Sequence, residues 1–142
     1  MQTKKIINDL QKRNFRITKA RREIINIFFQ ARKPLSAKEI YKKLTKKHVI
    51  VDLTTVYREL LFLLENDYLK EVHLRSNERF FELANLAHHH HLICDKCGKV
   101  DDIDGCFLQN LDKIMGKGFL IKRHVLEFYG LCAECRGNYG GQ

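Results

Sequence analysis

The stretch His88-His89-His90-His91-Leu92-Ile93-Cys94-Asp95-Lys96-Cys97 decides how the chain is organised. Four consecutive histidines lead directly into a Cys-x-x-Cys pair, and both side-chain types are metal ligands. Successive side chains of a β-strand point to opposite faces. If this stretch is a strand, His89 and His91 share one face, and His88 and His90 share the other. One strand then supplies ligands to two metal sites, the alternative being a nonspecific histidine patch.

A second Cys-x-x-Cys pair lies near the end of the chain, at Cys132 and Cys135. Two such pairs supply the four thiolates of a tetrahedral structural zinc site. In a reducing compartment, this spacing favours a metal over disulfides. We therefore expect Cys94 and Cys97 to bind structural Zn²⁺ together with the second pair. Cys106 is left over and is expected to be a small buried residue or the start of a helix.

The excess positive charge lies in the first part of the chain. Residues 1–84 carry 19 Lys and Arg against 10 Asp and Glu, whereas residues 85–142 carry 7 of each. This bias favours an anionic partner such as double-stranded DNA, with a solvated surface as the alternative. No apolar run is long enough to span a membrane, and no signal peptide is recognisable. We therefore expect a cytoplasmic protein without a membrane partner.

Residues 1–84 predict a winged-helix DNA-binding domain. Helices are expected over 3–13, after Thr18, after the Ser-x-x-Glu capping box at Ser36, and after Asp52. Two strand-like runs follow the last helix, at 68–74 and 79–83, around a polar turn. A helix, a second helix and then a hairpin is the order of a winged-helix domain.

The helix after Asp52 has a core stripe that leaves its first turns available to DNA. Leu53, Val56, Leu60 and Leu63 fall on one side of it. The remaining side chains in the first turns of this helix occupy the positions from which a recognition helix contacts bases in the major groove. The alternative is an ordinary amphipathic helix without a role in DNA binding. Basic residues nearer the N-terminus are expected to contact phosphates. The candidate DNA contacts are Arg16, Lys19, Arg21, Thr54, Thr55, Tyr57 and Arg58.

Residues 85–142 predict a second, α/β domain that carries the metal ligands. Strands are expected at 99–103 and 119–129, with a helix at 107–115 between them. His124 lies in the last of these strands and comes close to the histidine run if that strand packs nearby. The expected fold class is α+β, with an N-terminal winged-helix domain and a C-terminal α/β domain that holds a four-cysteine zinc site.

Ordered motifs cover nearly the whole chain: Arg16-x-Thr18-x-x-Arg21, Ser36-Ala37-x-x-Ile40-Tyr41, Thr55-Val56-Tyr57-Arg58-x-Leu60, Phe81-Glu82-Leu83, the run from His88 to Gly98, and Tyr129-Gly130-Leu131-Cys132-x-x-Cys135. With these motifs the chain resembles the ferric uptake regulator family of bacterial metal-responsive regulators. The resemblance implies a winged-helix domain, a short hinge and an α/β dimerisation domain. It also implies a homodimer that binds a palindromic operator and represses transcription when a regulatory metal is bound.

The resemblance implies a regulatory metal site whose ligands come from both domains. By position these ligands are Glu82, His89, His91 and Asp102, which suit Fe²⁺, Mn²⁺ or Zn²⁺. A further family ligand falls at Pro34, which cannot coordinate a metal, and His73 is the expected replacement. A third, weaker site is implied at His88, His90, His124 and Gln109, where Gln109 stands in place of the family's carboxylate.

The expected function is a metal-dependent repressor of metal uptake or homeostasis genes, with neither enzymatic activity nor a small-molecule substrate. Asp102, where a glutamate is the other family option, resembles the peroxide-sensing branch, so a peroxide-responsive repressor is the alternative within the family. A zinc enzyme or a metal-storage protein is the alternative from another class. The chain has no His-Glu-x-x-His motif for the enzyme, and a storage protein does not need the charge bias.

Overall fold

The computed structural model describes residues 2–31, 33–74, 77–106, 108, 118–121 and 124–137. Its internal contacts divide the chain into two units, Met1–Asn85 and Leu86–Gln142. The first unit contains α1 (Gln2–Lys12), α2 (Lys19–Ala31), β1 (Leu35–Ser36), α3 (Ala37–Lys46), α4 (Leu53–Glu65), β2 (Leu69–Val72) and β3 (Phe80–Leu83). The second contains β4 (His89–Cys94), β5 (Val100–Asp104), β6 (Glu127–Gly130) and α5 (Ala133–Gly137).

The helices of the first unit begin and end where local side chains satisfy the backbone. The Ser36 hydroxyl accepts from the Glu39 N–H at 3.3 Å, and the Glu39 carboxylate accepts from the Ser36 N–H at 2.8 Å, which completes the expected capping box of α3. The Asp52 carboxylate accepts from the Thr55 N–H at 2.6 Å and caps α4. After α1 the chain turns at Asn14, which has a φ of 62°.

The first unit packs its helices and a small antiparallel sheet around one hydrophobic core. The strand order is β1-β3-β2, and Leu35 of β1 lies opposite Phe81 of β3. With α3, α4 and the β2–β3 hairpin, this is a winged-helix fold, and the expected α+β class is confirmed. The pairing of β1 was not predicted, because two residues are too short to show alternation. The innermost side chains include Leu10, Ile24, Ile25, Ile27, Phe28, Leu35, Ile40, Leu44, Val56, Leu60, Leu63 and Phe81.

The sheet of the second unit has the histidine strand at its centre. Its order is β5-β4-β6, with β5 antiparallel and β6 parallel to β4. The strand expected at 119–129 was predicted too long, since its described residues before Glu127 lie outside any strand. Phe119, Leu120 and Val125 are exposed there, so their apolar character does not reflect burial in the sheet. The helix expected at 107–115 lies, apart from Leu108, outside the described residues.

The described interior of the second unit consists largely of metal-binding side chains. The buried residues of its described ranges are Cys94, Val100 and Cys135, together with His90 and His91. So little apolar burial contrasts with the many core residues of the first unit. Small domains with a thin core depend on metals, cross-links or a partner subunit for stability. None of the helices in the described ranges is long and apolar enough to cross a membrane.

Candidate metal centres and nucleic-acid interface

Four cysteines form a thiol cluster at the end of the second sheet. Cys94 ends β4, and the turn that follows is closed by a hydrogen bond from the Gly98 N–H to the Cys94 carbonyl at 2.9 Å. Cys132 lies just before α5, and Cys135 lies within that helix. The sulfur atoms of Cys97 and Cys132 are 3.7 Å apart, and all four sulfurs lie within 4.8 Å of one another. Sulfur ligands of a tetrahedral Zn²⁺ are about 3.8 Å apart, so the thiol cluster fits that ion.

Backbone donors in the thiol cluster favour a thiolate at Cys94. The Cys132 N–H donates to the Cys94 sulfur at 3.3 Å, and this hydrogen bond is the largest influence that lowers the pKa of Cys94 to about 6. The pKa of Cys135 is raised, chiefly because its thiol shares a hydrogen bond with Cys132. Thiols bind zinc as thiolates, so the lowered pKa of Cys94 favours the form of this side chain that binds the metal.

The four histidines of the run separate into two pairs, as strand alternation predicts. The ring centroids of His89 and His91 are 5.0 Å apart, and those of His88 and His90 are 4.7 Å apart. On the first face, His91 pairs in register with Asp102, and its Nε2 atom lies 3.8 Å from a carboxylate oxygen of that residue. The second unit therefore brings together three of the expected regulatory ligands.

The other expected regulatory ligands belong to the first unit. Glu82 lies on β3 with 1% of its side chain exposed, and it forms an ion pair with Lys70 of β2 at 2.9 Å. His73 follows β2 and is exposed. If the register of β2 and β3 is continued by one residue, His73 lies opposite Arg79. His73 is then about 10 Å from Lys70 along the strand direction, and its side chain is on the opposite face of the sheet. The fold of the first unit therefore does not bring His73 beside Glu82, and Pro34 is buried.

The second face of β4 forms a different cluster, which we call the Cys106 cluster: His88, His90, Cys106 and His124. The Nε2 atom of His124 lies 2.9 Å from that of His88 and 3.1 Å from the Cys106 sulfur. The four possible ligand atoms lie within 4.8 Å of one another. His124 therefore approaches the histidine run, as expected. Gln109, the fourth residue expected at this site, lies outside the described residues.

Sequence reasoning did not assign Cys106 to a metal site. Cys106 is partly exposed and directly follows β5 and Gly105, which has a φ of 87°. Such a backbone conformation is readily available to glycine, and it turns the chain at the end of the strand. The sequence carried one signal for this ligand. Cys106 directly follows a glycine at the end of a strand that pairs with the histidine run.

The start of α4 exposes most of the side chains that are expected to contact DNA. Val56 is buried in the core, as predicted for the apolar stripe of this helix. Thr54, Tyr57 and Arg58 are exposed, whereas Thr55 is partly buried. This arrangement leaves a polar, aromatic and cationic surface on the helix that a winged-helix domain inserts into the major groove.

Arg21 is held within the first unit by several interactions. Its guanidinium donates to the Glu59 carboxylate at 2.7 Å, and both side chains are only 12% exposed. The same guanidinium lies 3.7 Å from the centroid of the Phe62 ring and donates to the Arg16 carbonyl at 2.7 Å. These contacts favour a structural role for Arg21. Arg16 and Lys19, in contrast, have exposed side chains.

Comparisons with known proteins agree with the fold described above. The model of the ferric uptake regulator family matches residues 12–129. The ferric uptake regulation protein of Neisseria meningitidis is 31% identical over 133 residues, 92% of each chain. The peroxide-responsive repressor PerR of Staphylococcus epidermidis is 30% identical over 132 residues, 92% of this chain and 87% of that protein. The solved structure of the Vibrio cholerae ferric uptake regulator is similar with a TM-score of 0.71 at 28% identity, covering 88% of this chain and 98% of that chain.

Proposed function

Because this chain belongs to the ferric uptake regulator family, we propose that it is a metal-dependent repressor of transcription that acts on cytoplasmic operator DNA. The observation that carries the proposal is the exposed start of α4, with Thr54, Tyr57 and Arg58 in the part of the chain that holds the excess positive charge. An arginine can donate two hydrogen bonds to guanine, and threonine methyls contact thymine. Its proposed targets are genes of metal uptake or homeostasis.

The apolar surface of the second unit supports a homodimer. Leu92 of β4 and Phe128 of β6 lie side by side in register, and both are exposed. Phe119, Leu120 and Val125 add further exposed apolar surface. An exposed apolar patch of this kind marks a protein interface. A two-fold dimer of winged-helix units reads a palindromic operator, so the proposed partner of each chain is a second copy.

The thiol cluster is the proposed structural zinc site. Its four sulfurs have the spacing of a tetrahedral site, and they join the end of β4 to α5. Bound Zn²⁺ would supply a cross-link between these two segments. The second unit has a thin apolar interior within its described ranges, so we expect the cysteines to hold its fold together.

The proposed regulatory ligands are Glu82, His89, His91 and Asp102, a set of imidazoles and carboxylates that suits Fe²⁺, Mn²⁺ or Zn²⁺. Glu82 lies three positions before the end of the first unit, whereas the others lie on the first two strands of the second. A metal bound by this set would supply bonds to residues of both units. We leave His73 out of the set, because the strand register separates it from Glu82.

This ligand set makes metal binding and DNA binding mutually dependent. Glu82 is part of β3, so a metal bound to its carboxylate would be connected to the whole DNA-binding unit. A dimer binds both half-sites only when its two recognition helices have the correct spacing, about one helical turn of DNA. Ligation that favours this arrangement raises the affinity for DNA, and DNA raises the affinity for metal by the same factor.

Selection from a pool of random DNA duplexes tests the proposal. With Mn²⁺ present, we expect the dimer to enrich a palindromic sequence, and the His91→Ala variant to lose this enrichment while it keeps zinc in the thiol cluster. Fluorescence anisotropy on the enriched duplex, with and without Mn²⁺, then measures the metal dependence. Enrichment of no sequence, or equal affinity under both conditions, would contradict the proposal.

A peroxide-responsive repressor is the second candidate function. Two observations favour it: the 30% identity to the peroxide-responsive repressor of S. epidermidis, and an aspartate at position 102. Treatment of the Fe²⁺-loaded protein with hydrogen peroxide separates the two candidates. Addition of oxygen to His89 or His91, detected by mass spectrometry together with loss of DNA binding, supports the second. An unmodified protein that still binds DNA supports a metal-responsive repressor.

A further inference from the structure

We propose that Cys106 supplies a thiolate to a second zinc site, in which His88, His90 and His124 provide the other three ligands. This assignment changes the chemistry expected on this face of β4. The sequence suggested a weak site completed by the amide of Gln109. Among the described residues, the structure places the sulfur atom of Cys106 beside the three imidazoles. A thiolate is a much stronger zinc ligand than a neutral amide.

The spacing of the ligand atoms is compatible with a tetrahedral ion. For Zn²⁺ bound to nitrogen and sulfur at normal distances, the nitrogen atoms are about 3.3 Å apart, and nitrogen and sulfur are about 3.6 Å apart. The distances from His124 Nε2 to His88 Nε2 and to the Cys106 sulfur are 2.9 and 3.1 Å, and no pair of ligand atoms exceeds 4.8 Å. Small side-chain rotations bring these distances to tetrahedral values.

A buried imidazole nitrogen is an independent sign of a ligand. His90 is 1% exposed, and within the described ranges no hydrogen-bond partner reaches its Nε2 atom. Buried polar atoms are nearly always satisfied by a partner, because an unpaired one costs free energy. Around His90 stand other imidazoles and the Cys106 thiol, all of which are metal ligands. A bound cation satisfies His90 and its neighbours at the same time.

The donor atoms select the ion. Three imidazoles and one thiolate form a soft, nitrogen-rich set without a carboxylate, and thiolates favour Zn²⁺ over Mn²⁺ or Mg²⁺. The opposite face of β4 has Asp102 beside His91 and offers a harder set of donors. The alternation of one strand therefore presents two chemically different sites, of which the Cys106 cluster is the one that favours Zn²⁺ over Mn²⁺ or Mg²⁺.

The Cys106 cluster also connects three segments of the second unit. His88 directly precedes β4 and His90 lies at its start, whereas Cys106 follows β5 and His124 precedes β6. The described part of this unit has few buried apolar side chains, so a shared ion contributes stability that a hydrophobic core supplies elsewhere. The thiol cluster joins the other end of β4 to α5. The two zinc sites thus hold opposite ends of the same central strand.

Cobalt substitution tests the ligand role of Cys106. The full-length His91→Ala protein, which lacks a complete regulatory site, is prepared with one equivalent of Zn²⁺ in the thiol cluster and titrated with Co²⁺ without oxygen. We expect a near-ultraviolet sulfur-to-cobalt band that saturates at one equivalent. Adding Cys106→Ser should remove the band while the protein keeps its zinc. No band in the parent, or an unchanged band in the Cys106→Ser protein, would overturn the proposal.

A matched variant and a measurement on the unaltered chain complete the test. Cys106→Asp should restore binding of a second equivalent of zinc without the sulfur band. In the wild-type protein, alkylation of Cys106 followed by peptide mass spectrometry reports the thiol directly. We expect Zn²⁺ added beyond the first equivalent, up to three equivalents, to protect Cys106, because the regulatory ligands can take one of the added ions. Equal rates of Cys106 alkylation with one and three equivalents would refute the assignment even if every variant failed to fold.

Discussion

Arg21 and Arg58 carry the same charged group, but their surroundings assign them different roles. The guanidinium of Arg21 contacts both the Glu59 carboxylate and the Phe62 ring, and the side chain is largely shielded from water. Arg58 stands exposed on α4. Sequence alone places both arginines in a basic, DNA-binding region, because charge is visible in a sequence and burial is not. At the scale of single residues, the partner of a side chain therefore decides its function.

The Arg21→Ala substitution is expected to destabilise the first unit by about 3 kcal/mol, because it leaves the Glu59 carboxylate in a largely buried position without its cation. Urea denaturation followed by circular dichroism measures the change. The matched control is Arg58→Ala, an exposed substitution whose effect on stability should stay within about 0.5 kcal/mol. Similar losses of stability in both variants would argue against a structural role for Arg21.

The Arg58→Ala substitution is expected to reduce operator discrimination by about 1–3 kcal/mol per half-site, because the variant loses a base contact. Lys19→Ala should weaken binding to all duplexes about equally and reduce the dependence of affinity on salt by about one counterion. Anisotropy titrations on specific and random duplexes at several salt concentrations measure both effects. If Arg58→Ala weakened both duplexes equally, Arg58 would be a phosphate contact.

At the scale of the elements, local patterns were predictable and long-range pairings were not. The caps at Ser36 and Asp52 and most of the core stripe of α4 follow from neighbouring residues, and the structure has them as expected, although Leu53 of the stripe is only partly buried. The pairing of β1 with β3 depends on residues far apart in the chain and leaves no periodic signal. Cys106 belongs to the second metal cluster because Gly105 turns the chain after β5. A glycine permits this backbone conformation but does not require it, so the position of Cys106 could not be predicted from the residue type.

The alternation of β4 predicts that neighbouring histidines have different effects. His91→Ala should abolish the metal dependence of DNA binding, because it removes a ligand of the proposed regulatory site. His88→Ala should preserve that dependence, because its ring lies on the opposite face with His124. Anisotropy with and without Mn²⁺ on the selected operator measures both. Loss of the metal response in His88→Ala would show that the two faces do not act separately.

At the scale of the whole molecule, the two units differ in what stabilises them. The first has an extensive apolar core, whereas the described interior of the second is made mainly of cysteines and histidines. Stability that depends on bound metal also depends on metal concentration, whereas stability from apolar packing does not. The two halves of one chain are therefore expected to respond differently to the same chelator.

Removal of zinc by a strong chelator is expected to unfold the second unit and to leave the first folded. Limited proteolysis should then yield a stable fragment that ends near Asn85, and circular dichroism should retain most of the helical signal. Readdition of Zn²⁺ under reducing conditions should restore resistance to the protease. Loss of both units in a single transition would show that the first unit depends on the second for its stability.

Four identical side chains in succession have a consequence for how β4 finds its place during folding. A slip of one residue normally exchanges the two faces of a strand and exposes its core side chains. Within the histidine run, such a slip still leaves imidazoles on both faces, so the histidines cannot distinguish the correct alignment from a shifted one. Cys94 does distinguish the correct alignment from a shifted one, because its thiol must reach Cys132. The correct alignment of β4 therefore depends on Cys94, at the end of the strand. Binding of zinc by the thiol cluster would select the alignment in which each histidine lies on its correct face.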